Sequence, residues 1–323
     1  MRGWWHDLSD LVLPAECGGC GRPRAVLCAR CRTALGGAAP RRVRPDPEPP
    51  GLPVTHAAAR YADEVRAALL AHKERGALAL ARPLGEALAG AVRAGLRDTA
   101  GPVHGDRGAV LLVPVPSAPR AVRARGHDPA LRITRVAAGA LRRQGVPASV
   151  LPALRQRRGV ADQAGLDARQ RLANLAGALA VVPGCDRLLR GGQVVLVDDL
   201  MTTGASLAEA ARAVRAADGA GRPGSAGTRA RTCAQGRAEG GARVREAADP
   251  GADSSISAPA FVYRGESWER RGGQRNGPAR RRAGRWSGRP AGTSAAGRAD
   301  RPIDVKCAAV VAASPDSFEI NRN

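Results

Sequence analysis

The run VVLVDDLMTTGAS, residues 194–206, constrains the fold more than any other part of the chain. A short apolar stretch ends in Asp198 and Asp199, and then come two threonines, a glycine and a serine. Apolar runs bounded by turn residues read as buried strands. The following SLAEAARAVRAADG places Leu207, Ala210, Ala211 and Val214 on one face of a helix. A strand, a tight turn and an amphipathic helix in that order belong to a mostly parallel sheet covered by helices. In such sheets ligands bind beyond the carboxyl ends of the strands. The two carboxylates are therefore expected at a ligand site, to accept hydrogen bonds from sugar hydroxyls or to hold Mg2+. Thr202, Thr203, Gly204, Ala205 and Ser206 form a turn whose N–H and hydroxyl groups suit a phosphate. The spacing is not that of a Walker A loop. The plainer alternative is an aspartate cap followed by a polar turn.

Other segments fit the same α/β plan. AVLLVPVP, residues 109–116, reads as a buried strand, as do GALAVV and the 308–313 run. PALRITRVAAGALRRQG is amphipathic, with Leu131, Val136 and Leu141 among its apolar positions, and Gly145 suits the helix stop. VRAALLAHKERGALALARPLGEALAGAVRAGL is helical, with breaks expected near Gly76 and Pro83.

The N-terminal region, residues 1–50, carries Cys17, Cys20, Cys28 and Cys31 in a C-x2-C-x7-C-x2-C pattern and ends in the linker PRRVRPDPEPPGLP. Two such knuckles place four thiolates around a tetrahedral Zn2+, and four protein ligands leave no open catalytic position. Four reduced cysteines without metal, or a redox pair, are the alternatives. WWHDLSDLVLP reads as a short amphipathic helix packed on the knuckles; the other reading places Trp4 and Trp5 at a membrane surface. The total of seven cysteines is odd, which argues against a secreted disulfide scaffold. Asp7 and Asp10 interrupt the apolar start, against a signal peptide, and no run reaches the roughly 18 apolar residues of a membrane span. A cytoplasmic protein without membrane insertion is expected.

The formal net charge is +22, which favours polyanionic partners but does not separate nucleic acid from pyrophosphate. Residues 220–303, rich in Arg, Gly, Ala, Ser and Pro, supply a large share of it and lack apolar periodicity. They read as a disordered insert, either a nucleic-acid tether or a stretch without a selected role. An expected final strand and tail, 304–323, then complete the domain begun at 54–219.

VVLVDDLMTTGAS resembles the phosphoribosyl pyrophosphate (PRPP) signature of type I phosphoribosyltransferases. With the four cysteines in front, the chain resembles the ComF family, named for competence and DNA uptake. AHKERG, VPVPSAPRAVRARGHDPA and RQRRGVADQAGLDARQRLANLAGALAV resemble further segments of that family. Here RGHDPA stands in place of R-G-F-N-Q, and the 220–303 block in place of a short connection.

The resemblance implies a type I phosphoribosyltransferase fold behind a zinc module. It implies that Asp198 and Asp199 hold the ribose hydroxyls and that Thr202, Thr203, Gly204, Ala205 and Ser206 cradle the 5′-phosphate. It further implies that Ser117 and Arg120 form the pyrophosphate loop, with Arg123 and Arg125 beyond it. Residues 155–174 become a lid, with Arg157, Gln163, Arg171 and Asn174 as contacts or hinges. Mg2+ accompanies PRPP, and an unidentified base accepts the phosphoribose. Lys73 is either a phosphate contact or a solvated helix cation, and His127 either a ligand contact or a surface residue. Two functions follow: a phosphoribosyltransferase, or a non-catalytic protein of that fold binding single-stranded DNA or competence-machinery partners.

Overall fold

The computed structural model describes residues 16–99, 108–158, 167–220 and 302–318. The expected Trp4/Trp5 helix, Gln163 and nearly all of the 220–303 insert lie outside them.

After the cysteine knuckles the chain forms α1 (Ala29–Gly36), β1 (Arg41–Val43), β2 (Thr55–Arg60), α2 (Asp63–Glu74) and α3 (Ala81–Asp98). Then come β3 (Val110–Pro114), α4 (Pro119–Arg125), α5 (Pro129–Arg143), β4 (Ala148–Val150) and β5 (Leu154–Gln156). The remainder is α6 (Ala168–Leu175), β6 (Leu179–Val181), α7 (Cys185–Leu189), β7 (Gln193–Met201), α8 (Ala205–Ala220) and β8 (Asp304–Ala313). Six strands build one sheet in the order β1-β2-β8-β7-β3-β4. All neighbours are parallel except β1 and β2.

The two central strands, β7 and β8, are near-continuous apolar runs, as strands covered on both faces must be. Their side chains alternate between two cores. Val195, Val197, Ala309 and Val311 join Leu84, Leu88, Ile133 and Leu141 of α3 and α5. Val194, Leu196, Ala308 and Val310 join Leu207, Ala210, Ala211 and Val214 of α8. Helices thus cover both faces of the sheet.

Four local features correct or add to the sequence expectation. Gly76, at φ +67°, does interrupt the α2–α3 region, but Pro83 lies in the first turn of α3, where a missing N–H costs no intrahelical bond. The GALAVV segment does not enter the main sheet; β6 pairs antiparallel with β5 in a separate ribbon. Part of the linker is ordered against the sheet edge, because β1 pairs with β2 and buries Val43. Asp128 of RGHDPA caps α5, its carboxylate accepting from the Leu131 N–H at 3.0 Å, with Pro129 as the first helical residue. No helix among the described residues is long and apolar enough to cross a membrane.

The connections define a switch point. From β3 the chain leaves through α4 and α5 to β4 on one side. From β7 it leaves through α8 and returns as β8 on the other side. Neighbouring parallel strands whose connections diverge leave a crevice at their carboxyl ends.

Candidate functional site

β7 outruns β3 at this crevice. The last register pair between them is Pro114 with Val197, followed by the Val115 N–H donating to the Val197 carbonyl at 2.9 Å. Beyond Val197, β7 continues beside β8 to Met201. Asp198 and Asp199 occupy this overhang, and alternation along a strand turns them to opposite faces.

Asp199 is buried on the α2 side, where its Oδ2 lies 3.3 Å from Lys73 Nζ. Asp198 is half-buried, and its Oδ1 accepts the Asp199 backbone N–H at 2.9 Å. Burial, reinforced by the Asp199 charge, pushes the Asp198 carboxyl well above its usual range, with Lys73 opposing the rise. Asp199 in turn raises the Lys73 ammonium. Lys73 is thus the ion-pair partner of Asp199, with Asp198 next to it along the strand.

The turn after β7 depends on Gly204, at φ +72°. A Cβ there would come within 3.1 Å of Leu52 and 3.2 Å of Pro45, both from the linker region. The positive φ disfavours any larger residue, and the close approach leaves it little room. The turn opens directly into α8, a 16-residue helix whose first N–H groups lack intrahelical acceptors. Thr202 is exposed; Thr203 and Ser206 are half-buried and Ala205 is buried.

The opposite wall follows β3. Ser117 is half-buried, its hydroxyl donating to Asp128 Oδ1 at 3.4 Å, while Arg120 and Arg123 are exposed at the surface of α4. Arg125 does not point freely at the crevice: its Nε and Nη2 both donate to the Glu74 carboxylate at 2.9 Å. Glu74 follows Lys73 at the end of α2. The preceding residue belongs to the same wall, because the His72 carbonyl lies 3.2 Å from His127 Nε2. The last turn of α2 thus touches both halves of the predicted site.

Three of the four expected lid residues are described. Arg171, on α6, reaches the turn, its Nη1 donating to Thr202 Oγ1 at 3.3 Å. Arg157 follows β5, and its backbone N–H donates to Ala178 at 2.8 Å. Asn174 lies on α6, where its carbonyl accepts from Arg158 Nη2 at 2.9 Å. Glu209 is a residue that sequence reasoning missed. It is buried, accepts the Leu179 N–H at 3.0 Å and pairs with Arg212, so it fastens the β5–β6 ribbon to α8. A lone acid inside the apolar face of α8 was the available signal.

His72 is fully buried, and neither ring nitrogen has a partner among the described residues. Burial, with His127 and Arg132 adding to it and Asp199 opposing, lowers its pKa to about 4. In the unfolded chain it titrates near 6.5. As pH falls from 6.5 towards 4 the unfolded chain takes up a proton that the folded state refuses, so stability is lost across that window. The loss reaches about 3 kcal/mol. His72→Leu is expected to remove that part of the pH dependence, read as the difference between variant and wild-type urea midpoints at pH 7 and pH 4.5. An identical fall in both proteins contradicts the assignment.

A second centre lies in the N-terminal region. The four sulfurs of Cys17, Cys20, Cys28 and Cys31 lie within 4.8 Å of one another, with Cys28 Sγ 3.6 Å from both Cys20 Sγ and Cys31 Sγ. The edge of a zinc–thiolate tetrahedron is about 3.8 Å, from a bond of about 2.3 Å. At Cys17 burial pushes the thiol up, but backbone N–H groups of Cys20, Cys28 and Gly19 outweigh it and bring the pKa down to about 6. Burial and the neighbouring sulfurs raise Cys31. Four sulfurs this close could hold a metal ion. The glycines of the first knuckle have a packing reason: a Cβ on Gly18 would meet Leu80 at 2.5 Å, and one on Gly19 would meet Cys31 Sγ at 2.8 Å.

Compared with protein-family models and with curated proteins, the sequence matches none.

Proposed function

We propose that the β3–β7 crevice binds PRPP and that the protein transfers phosphoribose to a nitrogenous base with release of pyrophosphate. The observation that carries this reading is the overhang of β7. It delivers two vicinal carboxylates to a switch-point crevice and runs on, through a glycine turn at positive φ, into the N-terminus of α8.

In this reading Asp198 and Asp199 accept hydrogen bonds from the ribose 2′ and 3′ hydroxyls. The 202–206 turn holds the 5′-phosphate with backbone N–H groups, the Thr and Ser hydroxyls and the α8 dipole. The pyrophosphate lies towards Ser117, Arg120, Arg123 and Arg125. Departure of pyrophosphate leaves an oxocarbenium-like ribose; the carboxylates steady that positive charge while the arginines stabilise the leaving anion. The Asp198 and Asp199 carboxylates could also help to hold a Mg2+ brought with PRPP, which would supply further positive charge to the leaving anion. Arg171, already on Thr202, links the 5′-phosphate turn to α6, so closure of the 155–174 segment would exclude water from the cation. We assign the four-cysteine centre to a structural Zn2+.

The test is pyrophosphate release from PRPP and Mg2+ across a panel of purine, pyrimidine and pyridine bases. Base-dependent release from wild type is the expected result. Saturable PRPP binding with no release for any base would instead favour a non-catalytic binder, and no PRPP binding would remove the proposal.

A further inference from the structure

The two walls of the crevice are tied to consecutive residues of α2. Lys73 holds Asp199 from the β7 wall, and Glu74 holds Arg125 from the β3 wall. The second tie bears on ligand binding in a way the first does not. Glu74 occupies one edge of the Arg125 guanidinium through two parallel hydrogen bonds, Nε to Oε2 and Nη2 to Oε1, each 2.9 Å, and sets a negative charge against it. A carboxylate so placed presents to the guanidinium the same pair of oxygens that a phosphate presents. The pair is also open to exchange. Arg125 keeps about a fifth of its side-chain surface and Glu74 nearly half, at 21% and 47%. Arg125 is held by the residue that follows Lys73, the partner of Asp199, which sets its charge beside the crevice and not on a remote surface.

We propose that Glu74 is an affinity-determining residue of the pyrophosphate subsite: it competes internally for Arg125, opposing a pyrophosphate by its charge and by holding the Nε–Nη2 edge that the pyrophosphate would take. The inference rests on the PRPP reading of the crevice. Its consequence is selective. A ligand that needs Arg125 binds more weakly by the strength of the Arg125–Glu74 pair. A ligand confined to the aspartates and the 202–206 turn does not feel the pair. Holding the leaving group less tightly also favours its release after transfer.

The experiment is calorimetric titration of wild type, Glu74→Gln, Arg125→Gln and the double variant with pyrophosphate, PRPP and ribose 5-phosphate, all with Mg2+. Glu74→Gln is expected to tighten pyrophosphate and PRPP by about three- to five-fold, the upper range for a partly exposed ion pair, and to leave ribose 5-phosphate unchanged. Arg125→Gln weakens pyrophosphate and PRPP, and in its background Glu74→Gln has no further effect. The inference is overturned, with the PRPP reading intact, if PRPP binds wild type and Glu74→Gln changes nothing. It is equally overturned if Glu74→Gln tightens all three ligands alike or still tightens them without Arg125, because the effect is then general charge removal. If wild type binds neither PRPP nor pyrophosphate, both readings fall. Unchanged thermal midpoints across the set show that folding is not the cause.

Discussion

Protein purified without chelator is expected to carry about one zinc per chain, and Cys17→Ser with Cys20→Ser to carry almost none. The same double variant is expected to lose stability well beyond the usual surface substitution. The reason lies in where the sulfurs sit. Cys17, Cys28 and Cys31 belong to the same buried cluster as Leu35, Ala68, Leu69, Leu80 and Leu84. Without a cation these thiols face one another across a few ångströms, Cys17 driven to ionise by backbone N–H groups and Cys31 held neutral by burial and the neighbouring sulfurs. The conflict is placed against α2 and α3, so its cost spreads into the main domain. A loss of about 3 kcal/mol would lower the melting midpoint of a domain this size by roughly 6–12 °C. Chelation should reproduce the drop and added zinc reverse it in wild type only. Cys185→Ser, outside the cluster, should leave metal content unchanged. Full zinc retention in the double variant contradicts the assignment.

Asp198→Asn and Asp199→Asn are expected to weaken PRPP binding by about ten-fold or more each, since hydrogen bonds to a charged acceptor contribute about 1.5–3 kcal/mol. Their effects on stability should diverge. Asp198 has its carboxyl raised by burial and by Asp199. For an acid raised on folding, the folded state holds the proton longer, so stability declines as pH climbs from the unfolded pKa, near 3.8, towards the folded one. Near neutral pH, Asp198→Asn removes that cost, and the variant should be as stable as wild type or more so. Asp199→Asn instead leaves Lys73 without the carboxylate it now meets at 3.3 Å, and should lower the melting midpoint. A variant that is stable yet fails to bind PRPP separates function from folding. Unchanged PRPP affinity in both variants would contradict the role given to the aspartates.

The strand–turn–helix at 194–206 was legible because local pattern decides it: apolar run, acid pair, glycine, amphipathic helix. The glycine requirement at position 204 was legible in kind, though its particular neighbours, Pro45 and Leu52, were not. β8 was legible as a strand, but its central place beside β7 comes from pairing across more than a hundred residues, which periodicity cannot reveal. The same limit hid the walls of the site. Glu74 and Arg125 are 51 residues apart, and on its own helix Glu74 looks like part of a solvated face. Lys73 was ambiguous for the same reason, until the fold set it against Asp199. The stretch PRRVRPDPEPPGLP read as a linker, yet three residues within it complete the sheet edge.

The central claim is that the overhang of β7 meets a sugar diol while its turn grips the attached phosphate. A crystal structure of the protein with PRPP and Mg2+ tests it directly. The account predicts ribose hydroxyls on Asp198 and Asp199, the 5′-phosphate at residues 202–206, and pyrophosphate at Arg125 with Glu74 displaced. An empty crevice at saturating PRPP, or the ligand seated elsewhere on the chain, would contradict it.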